Sequence, residues 1–148
     1  MEILFVCTGN TCRSPMAEHI ALKLSGGVIT ASSAGLYAYD RDGISQAARE
    51  VLQLDYGIDA GGHRARQLTG EMAARADRVL TMTRGHRDSL LARYPQLQGK
   101  IMTLKEAAGM EGDICDPYGG SVETYREAAR EIEQAIRSIL EQMKGEEK

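Results

Sequence analysis

The sequence predicts an α/β protein: one domain over residues 1–148, in three layers, with a central four-stranded, mostly parallel sheet and helices on both of its faces. Three observations predict it. Short apolar runs alternate with segments of helical period along the chain, and no repeat, low-complexity tract or linker interrupts the alternation. The first run, Ile3-Leu4-Phe5-Val6, is apolar at every position, which is the pattern of a strand buried on both faces.

The elements follow in order. The first strand covers Ile3 to Val6 and stops at a turn containing Gly9 and Asn10. Ser14 reads as the cap and Pro15 as the first position of a helix on which Met16, Ile20 and Leu24 recur, closed by Gly26-Gly27. Val28 to Ser33 reads as the second strand. From Ile44 to Leu54 the set Ile44, Ala48, Val51 and Leu52 has helical period and ends near Gly57. Thr69 to Ala74 is a short helix, Arg78 to Thr83 the third strand, Thr83 to Tyr94 a helix stopped by Pro95, and Lys100 to Leu104 the fourth strand. A glycine-rich stretch from Gly109 to Gly120 leads to a last helix capped by Ser121, with Tyr125, Ala129, Ile132, Ile136, Ile139 and Met143 on one face. Residues 144–148 read as a frayed end. In a sheet of this kind ligands sit beyond the carboxyl ends of the strands.

Composition narrows the function. A chain of 148 residues, 43% hydrophobic and 26% charged, buries roughly two thirds of the surface its unfolded form exposes, so it calls for no disulfide or structural metal. With no Trp and one Phe, the core is aliphatic. A net charge of -3 and a pI near 5.6 lack the footprint of a nucleic-acid binder or a membrane-surface protein, so an anion must be held locally. The apolar run before Cys7 is too short for a signal-peptide core or a membrane span, and 3 cysteines, an odd number, argue for reduced thiols; a cytoplasmic protein is expected.

The chemistry sits between the first strand and the first helix, in Cys7-Thr8-Gly9-Asn10-Thr11-Cys12-Arg13-Ser14. Backbone N–H groups at a helix start have no intrahelical partners and form an anion cradle. Cys7 at its entrance supplies a nucleophile and Arg13 a planar guanidinium on its rim, which together match a tetrahedral oxyanion. The amides and the helix dipole stabilise negative charge on the Cys7 sulfur, and Ser14 is placed to donate to it. This suggests phosphoryl transfer through a cysteinyl-phosphate, in two displacements. One carboxyl group must act first as acid and then as base. Asp116 is the candidate, because its loop returns to the same end of the sheet and Pro117 restricts its backbone. Asp113 shares that loop and reads as a turn cap. Asn10 tolerates a left-handed backbone.

These residues resemble the low-molecular-weight protein tyrosine phosphatases, whose signature is Cys-x5-Arg-Ser after the first strand and Asp-Pro near the C-terminus. The stretches Val6 to Glu18 (VCTGNTCRSPMAE), His63 to Leu68 (HRARQL) and Asp116 to Tyr118 (DPY) carry the resemblance, which extends over essentially the whole chain. It implies that family's fold, with Cys7 as nucleophile, Arg13 on the phosphoryl oxygens, Ser14 assisting the thiolate and Asp116 as general acid. Thr8, Gly9, Asn10, Thr11 and Cys12 would form the substrate loop, and Tyr118 a flat wall able to stack on a guanidinium or a phenol. The resemblance also implies that Asn10, Ser33 and His63 hold the loop in shape. Cys12 reads either as a small loop residue or, as the resemblance suggests, as a partner for a reversible disulfide with Cys7. Cys115 reads as structural.

Thr11 stands where tyrosine-specific members carry a larger aliphatic residue, and Gly119 replaces the second tyrosine of an Asp-Pro-Tyr-Tyr pattern. The resemblance is therefore closest to the bacterial protein-arginine-phosphatase branch. The expected activity is hydrolysis of phosphoarginine in proteins, with phosphorylated proteins as partners, inorganic phosphate as product, and neither cofactor nor metal. His19, His63 and His86 lack ligand spacing, and Arg64 and Arg66 read as solvated charges. The alternatives are a phosphotyrosine phosphatase and, from another class, a phosphocysteine carrier domain, against which Asp116 argues. A thiol-coupled arsenate reductase would need cysteines between Cys12 and Cys115, and a nucleotide-binding loop would need a Gly-Lys-Ser/Thr ending; neither is present.

Overall fold

Alternate side chains of the first strand enter two separate cores. In a computed structural model, which describes residues 1–146, β1 (Glu2–Cys7) sends Ile3, Phe5 and Cys7 to one face and Leu4 and Val6 to the other. The first face packs on α1 (Arg13–Ser25), α2 (Gln46–Tyr56) and α6 (Val122–Glu146); the second packs on α3 (Gly70–Arg75) and α4 (Arg84–Arg93). Burial on both faces explains why β1 is apolar throughout. The other strands are β2 (Thr30–Gly35), β3 (Arg78–Thr81) and β4 (Ile101–Thr103); a 3-10 turn spans Pro95–Leu97 and a short helix, α5, covers Leu104–Ala107. All pairings are parallel, in the order β2-β1-β3-β4. The chain crosses from β2 over β1 to β3, so the strand order switches direction at β1 and leaves a crevice beyond its carboxyl end.

Most elements stand where their local signals put them, and five boundaries differ for identifiable reasons. Helix α1 begins at Arg13, with Cys12 at the cap position and no side-chain cap bond, so Ser14 is inside the helix and not its cap. Its hydroxyl is drawn instead to Cys7 and Asn10. Strand β2 starts at Thr30 and runs to Gly35 because pairing with β1 from Glu2↔Thr30 to Cys7↔Gly35 sets its register; Val28 lies outside it and is exposed. Strand β3 stops at Thr81, since Thr83 is the cap of α4 and accepts from His86 N. Strand β4 ends at Thr103, where Thr103 and Glu106 form a capping box that opens α5. The last helix continues through Glu146, so residues 144–146 of the expected frayed end are helical, and Glu147 and Lys148 lie outside the described residues. Among the described residues no helix is long and apolar enough to cross a membrane.

Helix α6 closes the larger core with a face of Tyr125, Ala128, Ala129, Ile132, Ala135, Ile136 and Ile139, all buried. Replacing a fully buried Ile by Ala costs both transfer free energy and a cavity, about 2–5 kcal/mol. Ile132→Ala is therefore expected to lower stability by about that amount, read as a lower urea midpoint with an unchanged denaturant slope.

Candidate active site

The loop from Cys7 to Arg13 is built around one buried side chain. Asn10 has φ 57°, a left-handed conformation that Asn tolerates better than most residues, and its side chain is fully buried. Its Oδ1 accepts from the backbone N–H of Arg66 at 3.0 Å, which fixes the amide orientation. Its Nδ2 then donates to Ser14 Oγ at 2.9 Å and to Ser33 Oγ at 2.8 Å. Ser33 passes its own hydrogen to Glu18 Oε1 at 2.5 Å. The Asn10 carbonyl is 2.8 Å from His63 Nε2, which must donate because a carbonyl only accepts.

This arrangement leaves the Ser14 hydroxyl hydrogen available to the Cys7 sulfur. Ser14 Oγ already accepts from Asn10, so its hydrogen is free to point at Cys7 Sγ, 2.9 Å away. Both groups are buried, and a hydroxyl aimed at the sulfur stabilises a thiolate there. The loop backbone is also anchored. Leu36 N donates to the Cys7 carbonyl (3.0 Å), Tyr37 N to that of Thr8 (2.9 Å) and Ser45 N to that of Thr11 (2.9 Å). At Gly35 a Cβ would lie 2.6 Å from Thr8 O and 3.0 Å from Asn10 N, so only glycine lets β2 pass this close.

Arg13 enters the site as a buried guanidinium. One nitrogen, Nη1, donates to the Ile114 carbonyl at 3.1 Å, and Nη2 is 3.8 Å from Asp116 Oδ2. The Asp116 side chain is 61% exposed, so this ion pair contributes about 0–1 kcal/mol and does not lock the carboxylate. Asp116 Oδ1 also accepts from Tyr118 N at 3.1 Å across Pro117. The segment is pinned further back, where Ile114 N donates to the Met82 carbonyl just past β3. Asp113 is occupied elsewhere, accepting from Arg84 N at 2.9 Å at the start of α4.

Cys7, Thr8, Gly9, Thr11, Cys12, Arg13, Asp116 and Tyr118 line one cavity of about 270 Å³. Asn10, Ser14, Ser33 and His63 lie behind its floor. Tyr118 is highly exposed at the rim. Cys12 Sγ lies 3.3 Å from the Tyr125 hydroxyl, whose pKa is pushed up to about 12 by burial and by this bond. Cys115 is exposed, and its backbone N–H donates to Glu131 and tethers the loop. Its thiol is pushed up to about 11 by partial burial and the Glu131 carboxylate. Arg66 is not simply solvated, since its guanidinium donates to the Ser33 carbonyl. Among the described residues no group of three or more His, Cys, Asp and Glu is placed to hold a metal ion.

Sequence reasoning missed three neighbours of the site. Glu18 stands one helical turn after Ser14, on the same face, and that spacing was available as a signal. Gly35 ends β2 without a local signature. His86 follows the Thr83 cap of α4, and its Nε2 is 2.9 Å from Thr8 Oγ1. Burial, then the nearby Arg13 guanidinium, lowers the His86 pKa to about 4.

A family model described as low molecular weight phosphotyrosine protein phosphatase matches residues 2–148. The chain is 42% identical to a protein-arginine-phosphatase of Geobacillus stearothermophilus, over 99% of this chain and 98% of that one. The solved structure of a low molecular weight protein tyrosine phosphatase from T. tengcongensis superposes with a TM-score of 0.91 at 46% identity, covering 96% of this chain and 99% of that one. An arginine phosphatase variant with a phosphorylated active-site serine superposes with a TM-score of 0.90 at 36% identity, covering 97% of this chain and 96% of that one.

Two outcomes are expected. Gly35→Ala forces the loop backbone to shift and weakens binding of orthophosphate or vanadate about tenfold by calorimetry, whereas Gly43→Ala, with nothing within 4 Å of its Cβ, leaves it unchanged. His86 contributes stability in full above its ordinary pKa of 6.5 and loses that contribution as pH falls toward about 4, because only the unfolded chain takes the proton in that window. The stability advantage of the unsubstituted protein over His86→Gln is thus expected to narrow between those pH values in urea titrations.

Proposed function

This chain belongs to the low molecular weight phosphotyrosine protein phosphatase family, and from that premise we propose that it is a protein-arginine phosphatase working through a cysteinyl-phosphate on Cys7. The observation that carries the chemistry is the Ser14 hydroxyl 2.9 Å from Cys7 Sγ on the floor of a cleft whose rim bears Arg13 and Asp116. The Cys7 thiolate attacks phosphorus in line while the loop amides and Arg13 hold the phosphoryl oxygens. The P–N bond breaks, and Asp116 gives its proton to the departing guanidino nitrogen. Asp116 then takes a proton from water, which attacks phosphorus as the S–P bond breaks, releasing inorganic phosphate and the thiolate. A related arginine phosphatase variant with a phosphorylated active-site serine supports covalent transfer of this kind. The reaction needs Cys7 reduced, the condition of a cytoplasmic enzyme acting on phosphorylated proteins.

The wall of the cleft favours arginine. A phosphorylated guanidino group offers several N–H donors, and Thr8, Thr11 and Asp116 place oxygen acceptors around the cavity. An aryl phosphate offers no such donor. The relative named protein-arginine-phosphatase aligns over nearly the whole chain. The second reading is a tyrosine phosphatase, favoured by Tyr118 at the rim, whose ring face suits a phenyl group.

Initial rates on matched phosphoarginine and phosphotyrosine peptides decide between them, with Cys7→Ala as the blank. Phosphoarginine is expected to turn over faster, and equal or faster turnover of phosphotyrosine rejects the assignment. Asp116→Asn is expected to slow phosphoarginine turnover about 10²–10⁴-fold, and Thr11→Ile to raise the relative rate on phosphotyrosine.

A further inference from the structure

His86 is a buried ring outside the catalytic loop that reaches the cleft wall. His86 lies in the first turn of α4, its backbone N–H held by Thr83 Oγ1 at 3.1 Å. Its Nε2 is 2.9 Å from Thr8 Oγ1, and its Nδ1 is buried without a partner. Thr8 is exposed, lines the cleft and follows Cys7 directly. The ring side chain therefore spends its one hydrogen bond on a hydroxyl of the cleft wall. An exposed threonine samples several rotamers, and a fixed partner at this distance selects one.

Counting hydrogens shows what is selected. If Nε2 carries the ring proton, Thr8 Oγ accepts it and keeps a lone pair; if Nε2 is bare, Thr8 donates and keeps both. In either tautomer the oxygen remains an acceptor toward the cleft. Burial and the Arg13 guanidinium keep the imidazole neutral at neutral pH, against the opposing pull of Asp116 and Asp113. No second cation then stands beside Arg13 to repel a cationic substrate group.

Resting on the arginine-phosphatase reading, we propose that His86 is a positioning residue that holds Thr8 Oγ as an acceptor for a guanidino N–H of the substrate, so that the Thr8–His86 pair sets selectivity for phosphoarginine over phosphotyrosine. The test is a double-mutant cycle on the intact chain, reading kcat/KM on matched peptides. His86→Leu and Thr8→Val each lower the phosphoarginine-to-phosphotyrosine ratio about tenfold, and the double variant lowers it no further. His86→Gln, which keeps an amide near the Nε2 position, restores most of the ratio. A merely structural role slows both substrates together and leaves the ratio alone; that result overturns the proposal, as does an additive double variant. If His86→Leu does not fold, Thr8→Val on the exposed loop decides, and an unchanged ratio there overturns the proposal. A preference of the unsubstituted enzyme for phosphotyrosine overturns the parent reading before any variant is made. A preference for phosphoarginine with the ratio unchanged in the variants overturns this inference alone.

Discussion

The buried amide of Asn10 is the constraint on which the site depends. It has no water to fall back on, so each polar atom left without a partner costs about 1–3 kcal/mol. Its partners come from three places: Ser14 on α1, Ser33 on β2, and the backbone of Arg66 in the segment before α3. The left-handed turn at Asn10 therefore persists only where β1, β2 and the 63–66 segment are assembled in register. The same amide occupies a lone pair on each serine hydroxyl, and at Ser14 it leaves the hydrogen available to the Cys7 sulfur. The fold and the reactivity of the thiol share one hydrogen-bond network.

What was legible in the residues was what is local. The alternation of apolar runs and helical periods identified the sheet, and Cys7 to Ser14 identified the cradle, because strand, turn and helix start are contiguous. Asn10 was readable as a left-handed position for the same reason. The boundaries that differed answer to distant partners. Strand β2, with the polar sequence Thr30-Ala31-Ser32-Ser33-Ala34-Gly35, takes its register from β1 and not from its own pattern. Ser14 looks like a cap, yet its hydroxyl is drawn to Cys7 and Asn10. Helix α5 is too short for periodicity, although its capping box was visible in Thr103 and Glu106. His86 meets Thr8 across 78 residues of sequence, a contact that no window along the chain reveals.

The site also divides by rigidity. Its floor is backbone anchored to β2, with buried polar side chains fully engaged beneath. Its wall is made of exposed side chains, Thr8 on that anchored loop and Asp116 and Tyr118 on a segment tied at Ile114, Cys115 and Tyr118. In the proposed mechanism, phosphoryl chemistry draws on the floor and choice of leaving group on the wall. This separation explains how arginine and tyrosine phosphatases superpose so closely on one chain while differing in what they act on.

Arg13 donates to the carbonyl of Ile114, a partner 101 residues further along the chain. During synthesis the Cys7–Arg13 loop leaves the ribosome long before the segment that braces the guanidinium and carries Asp116. A nascent chain therefore holds an unbraced, incomplete centre until residues 114–116 have emerged and packed beside the loop. A fragment that stops short of Ile114 carries the Cys7–Arg13 motif without its brace or its neighbouring carboxylate.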